Sequence, residues 1–233
     1  MERVCILTGG SSGIGKATAL ALSKTSLFTH YVLIGRNKET VDSVVEKMKE
    51  NKVEAMFVFG DLSKPESLAN TIDIVCSKFK RISALLNIAG YTDPEPLFGT
   101  TLENLQTTFN TNVFSPFILI REFSKFMREK GGKIVNIAST AGTSSRPGWV
   151  SYASSKASLI SMSKTLADEL FEYGIKVYCL SPGRCATDLR KKLAPDEDYT
   201  KIMQPEAVAE VITTILNSSG NFLDGQDIVV RQK

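Results

Sequence analysis

The sequence predicts an α/β fold, a doubly wound and mostly parallel sheet of about seven strands with helices on both faces. Two observations predict it. Short apolar runs recur at 4–7, 31–34, 55–59, 84–86, 134–137, 176–180 and 228–230, and they are continuous rather than alternating apolar and polar. Continuous runs mark strands buried on both faces, as parallel strands are. Between them lie longer stretches with helical spacing of apolar residues, near 14–25, 38–50, 65–79, 101–130, 150–173 and 205–217. Strand followed by helix, repeated along the chain, builds parallel crossovers.

Taken in order, the first run feeds Thr8-Gly9-Gly10-Ser11-Ser12-Gly13-Ile14-Gly15, which opens the first helix. The second run ends at Gly35-Arg36-Asn37 before the next helix. After the third, Ser63-Lys64-Pro65-Glu66 supplies an expected N-cap at Ser63, an early proline and an acid in the first turn. The fourth run leads, past Thr101 at a helix start, into one long predicted helix, which Gly131-Gly132 stops before the fifth run. The helix over 150–173 follows, then the sixth run and Pro182-Gly183. Gln204-Pro205-Glu206 opens the last helix. No internal repeat, low-complexity tract or linker interrupts the series, so residues 1–233 are expected to form one domain.

Composition narrows the function. The chain is 42% hydrophobic and 23% charged, ordinary for a globular protein with a sizeable core. A net charge of +3 is too slight to argue for nucleic acid or a membrane surface, though it suits an anionic small molecule. None of Cys5, Cys76, Cys179 and Cys185 forms a CxxC, and Cys5 and Cys179 read as core thiols. The single histidine, His30, is expected in a loop; it leaves no histidine metal cluster and little room for a Ser-His-Asp triad. No apolar run is long enough to span a bilayer, and the first residues lack a signal-peptide pattern. The expected location is the cytoplasm, with reduced thiols and no metal.

The chemistry centres on Tyr152 and Lys156, in Ser151-Tyr152-Ala153-Ser154-Ser155-Lys156. Four residues apart on a helix, their Cβ atoms lie about 5–6 Å from each other on one face. A phenol with a pKa near 10 is a poor acid or base at neutral pH, but a cation on the same face favours the phenolate and pulls that value down. The glycine turn after the first strand allows close backbone approach, and the helix N-terminus behind it offers free N–H groups to a phosphate, which in a βαβ unit points to a dinucleotide. Arg36 stands at the end of the second strand with no acid before Glu39. An acid there would serve the ribose of NAD, whereas an arginine accommodates the 2′-phosphate of NADP, so NADP(H) is expected over NAD(H).

Thr8-Gly9-x-x-x-Gly13-x-Gly15 together with Tyr152-x-x-x-Lys156 resembles the short-chain dehydrogenase/reductase family, whose domain is Rossmann-type. Further landmarks fall in order along essentially the whole chain. Asp61-Leu62 stands where the family meets adenine, and Asn87-Ile88-Ala89-Gly90 matches its Asn-Asn-Ala-Gly with Ile88 in place of the second Asn. Asn112 and Ser139 match its helix-four asparagine and strand-five serine, and Pro182-Gly183 with Thr187 matches the segment flanking nicotinamide. The resemblance implies that Thr8, Gly9, Ser11, Ser12, Gly13, Ile14, Gly15, Arg36, Asp61, Leu62, Asn87, Ala89, Gly90, Pro182, Gly183 and Thr187 join Tyr152 and Lys156 in holding the dinucleotide. It also implies catalytic roles. Tyr152 would be the general acid, Lys156 would tune it and hold the nicotinamide ribose, Ser139 would hydrogen-bond the carbonyl oxygen, and Asn112 would position a water linking Lys156 to solvent.

The expected activity is therefore NADP-dependent reduction of a carbonyl, or oxidation of the matching secondary alcohol. A 3-oxoacyl thioester is the leading substrate, a ketone, sugar or polyol phosphate the alternative, and a dinucleotide-binding sensor without turnover the reading from another class. Family members form homotetramers or homodimers, for which Phe114, Phe117, Ile118, Phe123 and Phe126 supply apolar surface, here or in the core. Two departures leave substrate and interface open. The segment from Asp188 to Gln204 is short, and the Asp-Gly-Gly ending common in the family is absent around Asp224-Gly225-Gln226. Arg184, Arg190, Lys191 and Lys192 in this segment read as solvated loop charges, with contact to an anionic substrate such as a phosphate or acyl-carrier phosphopantetheine as the sharper alternative. Trp149 reads equally as pocket wall or packing.

Overall fold

The computed structural model describes residues 2–220 and 222–232. Seven strands, β1 (Val4–Thr8), β2 (His30–Gly35), β3 (Glu54–Phe59), β4 (Ala84–Asn87), β5 (Gly132–Ile137), β6 (Ile175–Pro182) and β7 (Asp227–Val230), form one sheet in the order β3-β2-β1-β4-β5-β6-β7. Every neighbouring pair is parallel. The order reverses direction between β1 and β4. In open parallel sheets that reversal leaves a crevice at the carboxyl ends of the strands, where ligands bind.

Side-chain alternation along the strands makes two cores. Cys5, Leu7, Tyr31 and Leu33 face α1 (Gly13–Ser23), α2 (Lys38–Lys49) and α8 (Pro205–Asn217). Val4, Ile6, Val32 and Ile34 face α3 (Leu68–Lys78), α5 (Ser115–Phe123) and α6 (Val150–Leu170). Both faces of β1 are therefore sealed, which is why its run is apolar without a break. Cys5 and Cys179 are core thiols, at 0% and 1% exposure. Phe123 is core, whereas Phe114 and Phe117 remain exposed.

Local structure departs from the sequence expectation at four places. The long helix expected over 101–130 is broken into α4 (Leu102–Phe109), a π-helical turn (Asn110–Phe114), α5 and a short 3-10 turn (Ser124–Phe126). Pro116 accounts for the break: it has no N–H to give the Asn112 carbonyl four residues back, and its ring crowds that carbonyl. Ser63 is no N-cap. Its N–H and hydroxyl both donate to Asp61 Oδ1, at 3.0 and 2.8 Å, and Lys64 precedes the 3-10 turn at Pro65–Ser67. Thr101, by contrast, does cap α4, accepting from the Asn104 N–H at 3.1 Å. His30 opens β2 rather than lying in a loop, and its Nδ1 meets the Thr29 hydroxyl at 2.9 Å. A short helix, α7 (Asp188–Leu193), stands where only loop was expected; Thr187 caps it by accepting from the Arg190 N–H. Among the described residues no helix is long and apolar enough to cross a membrane.

Candidate active site

A cleft of about 640 Å³ opens over the carboxyl ends of the strands, lined from the glycine turn at one end to Tyr152 and Lys156 at the other. Its floor at the first end depends on glycine. Gly9 has φ +72°, and a Cβ there would lie 2.8 Å from the backbone of Ala89; at Gly15 a Cβ would lie 2.0 Å from the Gly9 carbonyl oxygen. Only hydrogen at these positions lets β1, the turn and α1 come together. The Ser12 side chain makes no cap hydrogen bond and the first turn of α1 holds no acid. The uncapped N–H groups and the positive end of α1 thus face the cleft without competition, the condition for holding a phosphate. Ser11, Ser12, Gly13, Ile14, Ala89, Gly90, Pro182, Gly183 and Thr187 all line the same cleft.

Arg36, Asp61 and Leu62 form its outer wall at the ends of β2 and β3. The Arg36 guanidinium is 69% exposed and its Nη1 lies 3.9 Å from Asp61 Oδ1. An exposed pair of this kind is worth little in stability, so the guanidinium can turn to a bound anion at small cost. The pocket therefore fits a nicotinamide dinucleotide: phosphate-seeking N–H groups, a glycine floor, and a cation where the adenosine ribose would lie.

At the other end, α6 carries Tyr152 and Lys156 on its buried face, at 6% and 2% exposure. Lys156 Nζ donates to the Ile137 carbonyl at 2.8 Å and lies 5.8 Å from the centre of the Tyr152 ring. Burial pushes the Lys156 ammonium down to about 8. The phenol departs from expectation. Burial holds the Tyr152 pKa above its ordinary value, while the Ser139 hydrogen bond and the Arg190 charge pull the other way. Desolvation of a phenolate inside the cleft outweighs the cations around it. Ser139 Oγ accepts from the Ala141 N–H at 3.1 Å, which fixes the hydroxyl at the end of β5.

Three expected residues sit behind the cleft rather than in it. Thr8 Oγ1 accepts from the N–H groups of Ile88 and Ala89, at 3.1 and 3.2 Å, tying the glycine turn to the segment after β4. Asn87 donates to Asn136 Oδ1 at 2.9 Å, and Asn136 donates to the Ser163 hydroxyl, a buried ladder from β4 through β5 to α6. The Asn87 match to a family motif implied a place against the dinucleotide, but a strand-end side chain can point into the sheet or above it, and Asn87 is not among the cleft-lining residues. Asn112 Nδ2 donates to the Tyr91 carbonyl and the Ser155 hydroxyl, and its Oδ1 accepts from the Tyr91 N–H at 2.8 Å. That side chain braces the segment after β4 against α6. A methyl group at Gly90 would lie 3.6 Å from Lys156 Nζ and 3.7 Å from Asn112 Oδ1, so both atoms border one small space.

In the segment over α7, Arg184 and Lys191 are solvated as expected, at 69% and 61% exposure, whereas Arg190 is withdrawn from solvent at 17%. Glu197 takes Arg190 at both oxygens, Nε at 2.6 Å and Nη2 at 3.0 Å, and also Arg184 Nη1 at 3.2 Å. Two guanidinium groups hold the Glu197 carboxyl below the usual carboxylate range. Lys191 pairs with Asp188 at 3.1 Å, and Lys192 Nζ lies 6.0 Å from the centre of the Tyr91 ring. Trp149 lines the cleft and meets Tyr152 edge-on, ring centres 6.3 Å apart. Tyr91, Arg146 and Leu189 join the lining as well. Tyr91 and Arg146 lie in loops with no residue pattern of their own, and Leu189 in a helix of six residues too short to show a period, so the sequence held no signal for them.

A cleft that joins a dinucleotide cradle to a buried phenol, lysine and serine defines a dinucleotide-dependent oxidoreductase acting on a carbonyl or its alcohol. Residues 3–198 match the family model for the short chain dehydrogenases, and the chain belongs to that family. It is 35% identical to a 3-oxoacyl-[acyl-carrier-protein] reductase of Synechocystis over 96% of this chain and 93% of that one. A reductase of the same description from Thermotoga maritima is 31% identical over 97% of this chain and 95% of its own. Among solved structures, NAD+-bound xylitol dehydrogenase shares 26% identity at a TM-score of 0.87, covering 99% of this chain and 98% of that chain. Acetoin dehydrogenase from Salmonella typhimurium has the same fold, with a TM-score of 0.88 at 24% identity, over 99% and 94% of the two chains.

Proposed function

We propose that this chain, read as one domain over residues 1–233, is an NADP(H)-preferring reductase of a 3-oxoacyl thioester. The observation that carries the reaction is the Tyr152 phenol, lining one cleft with Ser139 and a buried Lys156, at the far end from the glycine turn. The cofactor preference rests on Arg36, and the acyl substrate on the two reductases with which the chain shares most of its length. Turnover with NADP(H) would draw its hydride from the nicotinamide. The rest falls to the chain's own side chains. Because burial keeps the phenol protonated at neutral pH, Tyr152 Oη serves as an acid and gives its proton to the substrate's carbonyl oxygen. The Ser139 hydroxyl, with its oxygen already fixed by Ala141, points its own hydrogen at that oxygen and stabilises the negative charge that grows there. Lys156, fixed by Ile137, keeps two N–H groups for the ribose and for a water in the space it shares with Asn112 Oδ1. That water returns the proton to Tyr152. The exposed Phe114 and Phe117 support assembly into a dimer or tetramer, and the free cysteines suit a reducing cytoplasm.

NADPH oxidation measured against a 3-oxoacyl thioester, simple ketones and a polyol phosphate tests this. The thioester is expected to give the highest kcat/KM, Tyr152→Phe to lower it about 100-fold or more, and Arg36→Asp to reverse the preference for NADPH over NADH. Tight NADPH binding with no turnover on any carbonyl overturns the reductase in favour of a dinucleotide sensor.

A further inference from the structure

Arg190 is the residue whose placement the reaction above leaves unexplained. It belongs to a loop helix on the cleft rim, yet its side chain is only 17% exposed. Glu197 grips it through both oxygens, and its guanidinium carbon lies 5.8 Å from the centre of the Trp149 ring. Trp149 in turn packs its ring at 75° to that of Tyr152. A continuous stack thus runs from α7 to the phenol, and Arg190 itself lines the cleft. Arg184 shares the same carboxylate, so two guanidinium groups answer one Glu197 and the cluster keeps one unit of positive charge. A latch alone would need no such excess; Arg184 with Glu197 already closes one.

We propose that Arg190 is a positioning residue for Tyr152: locked on Trp149 by Glu197, it supplies a positive field at the phenol that exists only while α7 is docked over the cleft. The inference rests on the reductase reading for its meaning in turnover, but not for its existence. The charged and titratable groups that line the cleft with Tyr152 are Lys156 from its own helix, Tyr91 from the segment after β4, Arg146 from the loop after β5, Arg184 and Cys185 from the segment after β6, Asp188 and Arg190 from α7, and Arg36 and Asp61 in the outer wall after β2 and β3. Glu197 stands behind Arg184 and Arg190. Of these groups Lys156 is held to the Ile137 carbonyl and Asp188 pairs with Lys191, whereas Arg190 is carried on α7. Docking of α7 therefore does two things at once: it walls the substrate and it favours the charge that Tyr152 acquires after giving up its proton. An acid that is strengthened only under a closed lid wastes no protons on water.

The test is an ultraviolet titration of the phenol with saturating NADP+, taken as the difference between each protein and the same protein carrying Tyr152→Phe. Arg190→Gln is expected to move the Tyr152 midpoint up by about half a unit, and Arg190→Lys to leave it near the parent value while raising KM through the lost grip on Glu197. Glu197→Gln keeps both guanidinium groups and an acceptor for them, so its midpoint is expected to fall. An unchanged midpoint in Arg190→Gln, or an equal rise in Arg190→Lys, overturns the proposal in favour of a purely mechanical latch. If circular dichroism shows Arg190→Gln to be unfolded, Glu197→Gln decides, and a midpoint that does not fall overturns it. No step of the titration needs turnover, so a chain inactive on every carbonyl overturns the reductase reading and leaves this result standing or falling by itself.

Discussion

Lys156 is a cation placed where a cation costs free energy. Among the described residues its Nζ makes one hydrogen bond, to the Ile137 carbonyl, and burial brings its pKa from 10.5 to about 8. The sign of the consequence follows by linkage. Between those two values the unfolded chain binds more protons at this residue than the folded one, so stability contributed by Lys156 rises as pH climbs from about 8 to 10.5. Buried Cys179 and Cys185, raised to about 12 and 11, act oppositely once pH passes their unfolded value of 9.0. A Lys156→Met enzyme removes the first effect and keeps the second. The difference in urea stability, parent minus Lys156→Met, is expected to grow with pH over that window; a flat difference would show that the lysine is not paying a burial penalty. Tyr152 and Lys156 were legible as a pair because helical spacing is fixed by geometry. The direction of the phenol's pKa was not, because it is a balance between burial, which raises it, and Ser139 and Arg190, which lower it and come from β5's end and from α7.

At the level of elements, α8 ends in an unusual way. No basic residue lies in its last turn and no glycine closes it. Instead Lys133, from the start of β5, donates to the carbonyls of Ile215 and Leu216 at 3.1 and 2.7 Å, and Lys176, its register partner on β6, donates to Ser219 and Gly220. Two strands thus supply the charge that a helix C-terminus attracts. Lys133→Met is expected to lower stability by about 1–2 kcal/mol in urea unfolding. It should leave kcat and KM unchanged, because Lys133 sits at the end of the sheet opposite the cleft. The sequence carried most helix positions in the spacing of apolar residues, but not the π turn, whose apolar pattern differs little from that of a continuous helix. Pro116 was the visible sign. Nor did it carry α7, whose six residues are too few to show a period and whose capping Thr187 was read as a cofactor contact alone.

The whole molecule is organised so that one cleft draws on nearly every strand. Parallel strands bring their carboxyl ends to one edge, and the reversal between β1 and β4 parts the loops there. The parallel character was readable from unbroken apolar runs; the strand order was not, since it is set by which helices cover which face. Because so many loops meet in the cleft, a ligand that fills it should stabilise the entire fold. NADPH at 100 times its Kd is expected to add about 2.7 kcal/mol and to raise Tm by roughly 5–10 °C for a chain of this size. NADH at the same concentration should raise it less, as differential scanning fluorimetry can check. Gly13 shows how far this convergence reaches. A Cβ there would lie 3.0 Å from the Thr187 methyl, so the first turn of the chain and the segment after β6 touch. The glycine turn follows the first strand, whereas Thr187 follows the sixth of the seven described strands. The nucleotide cradle is thus closed by two segments from opposite halves of the chain, and neither completes it alone.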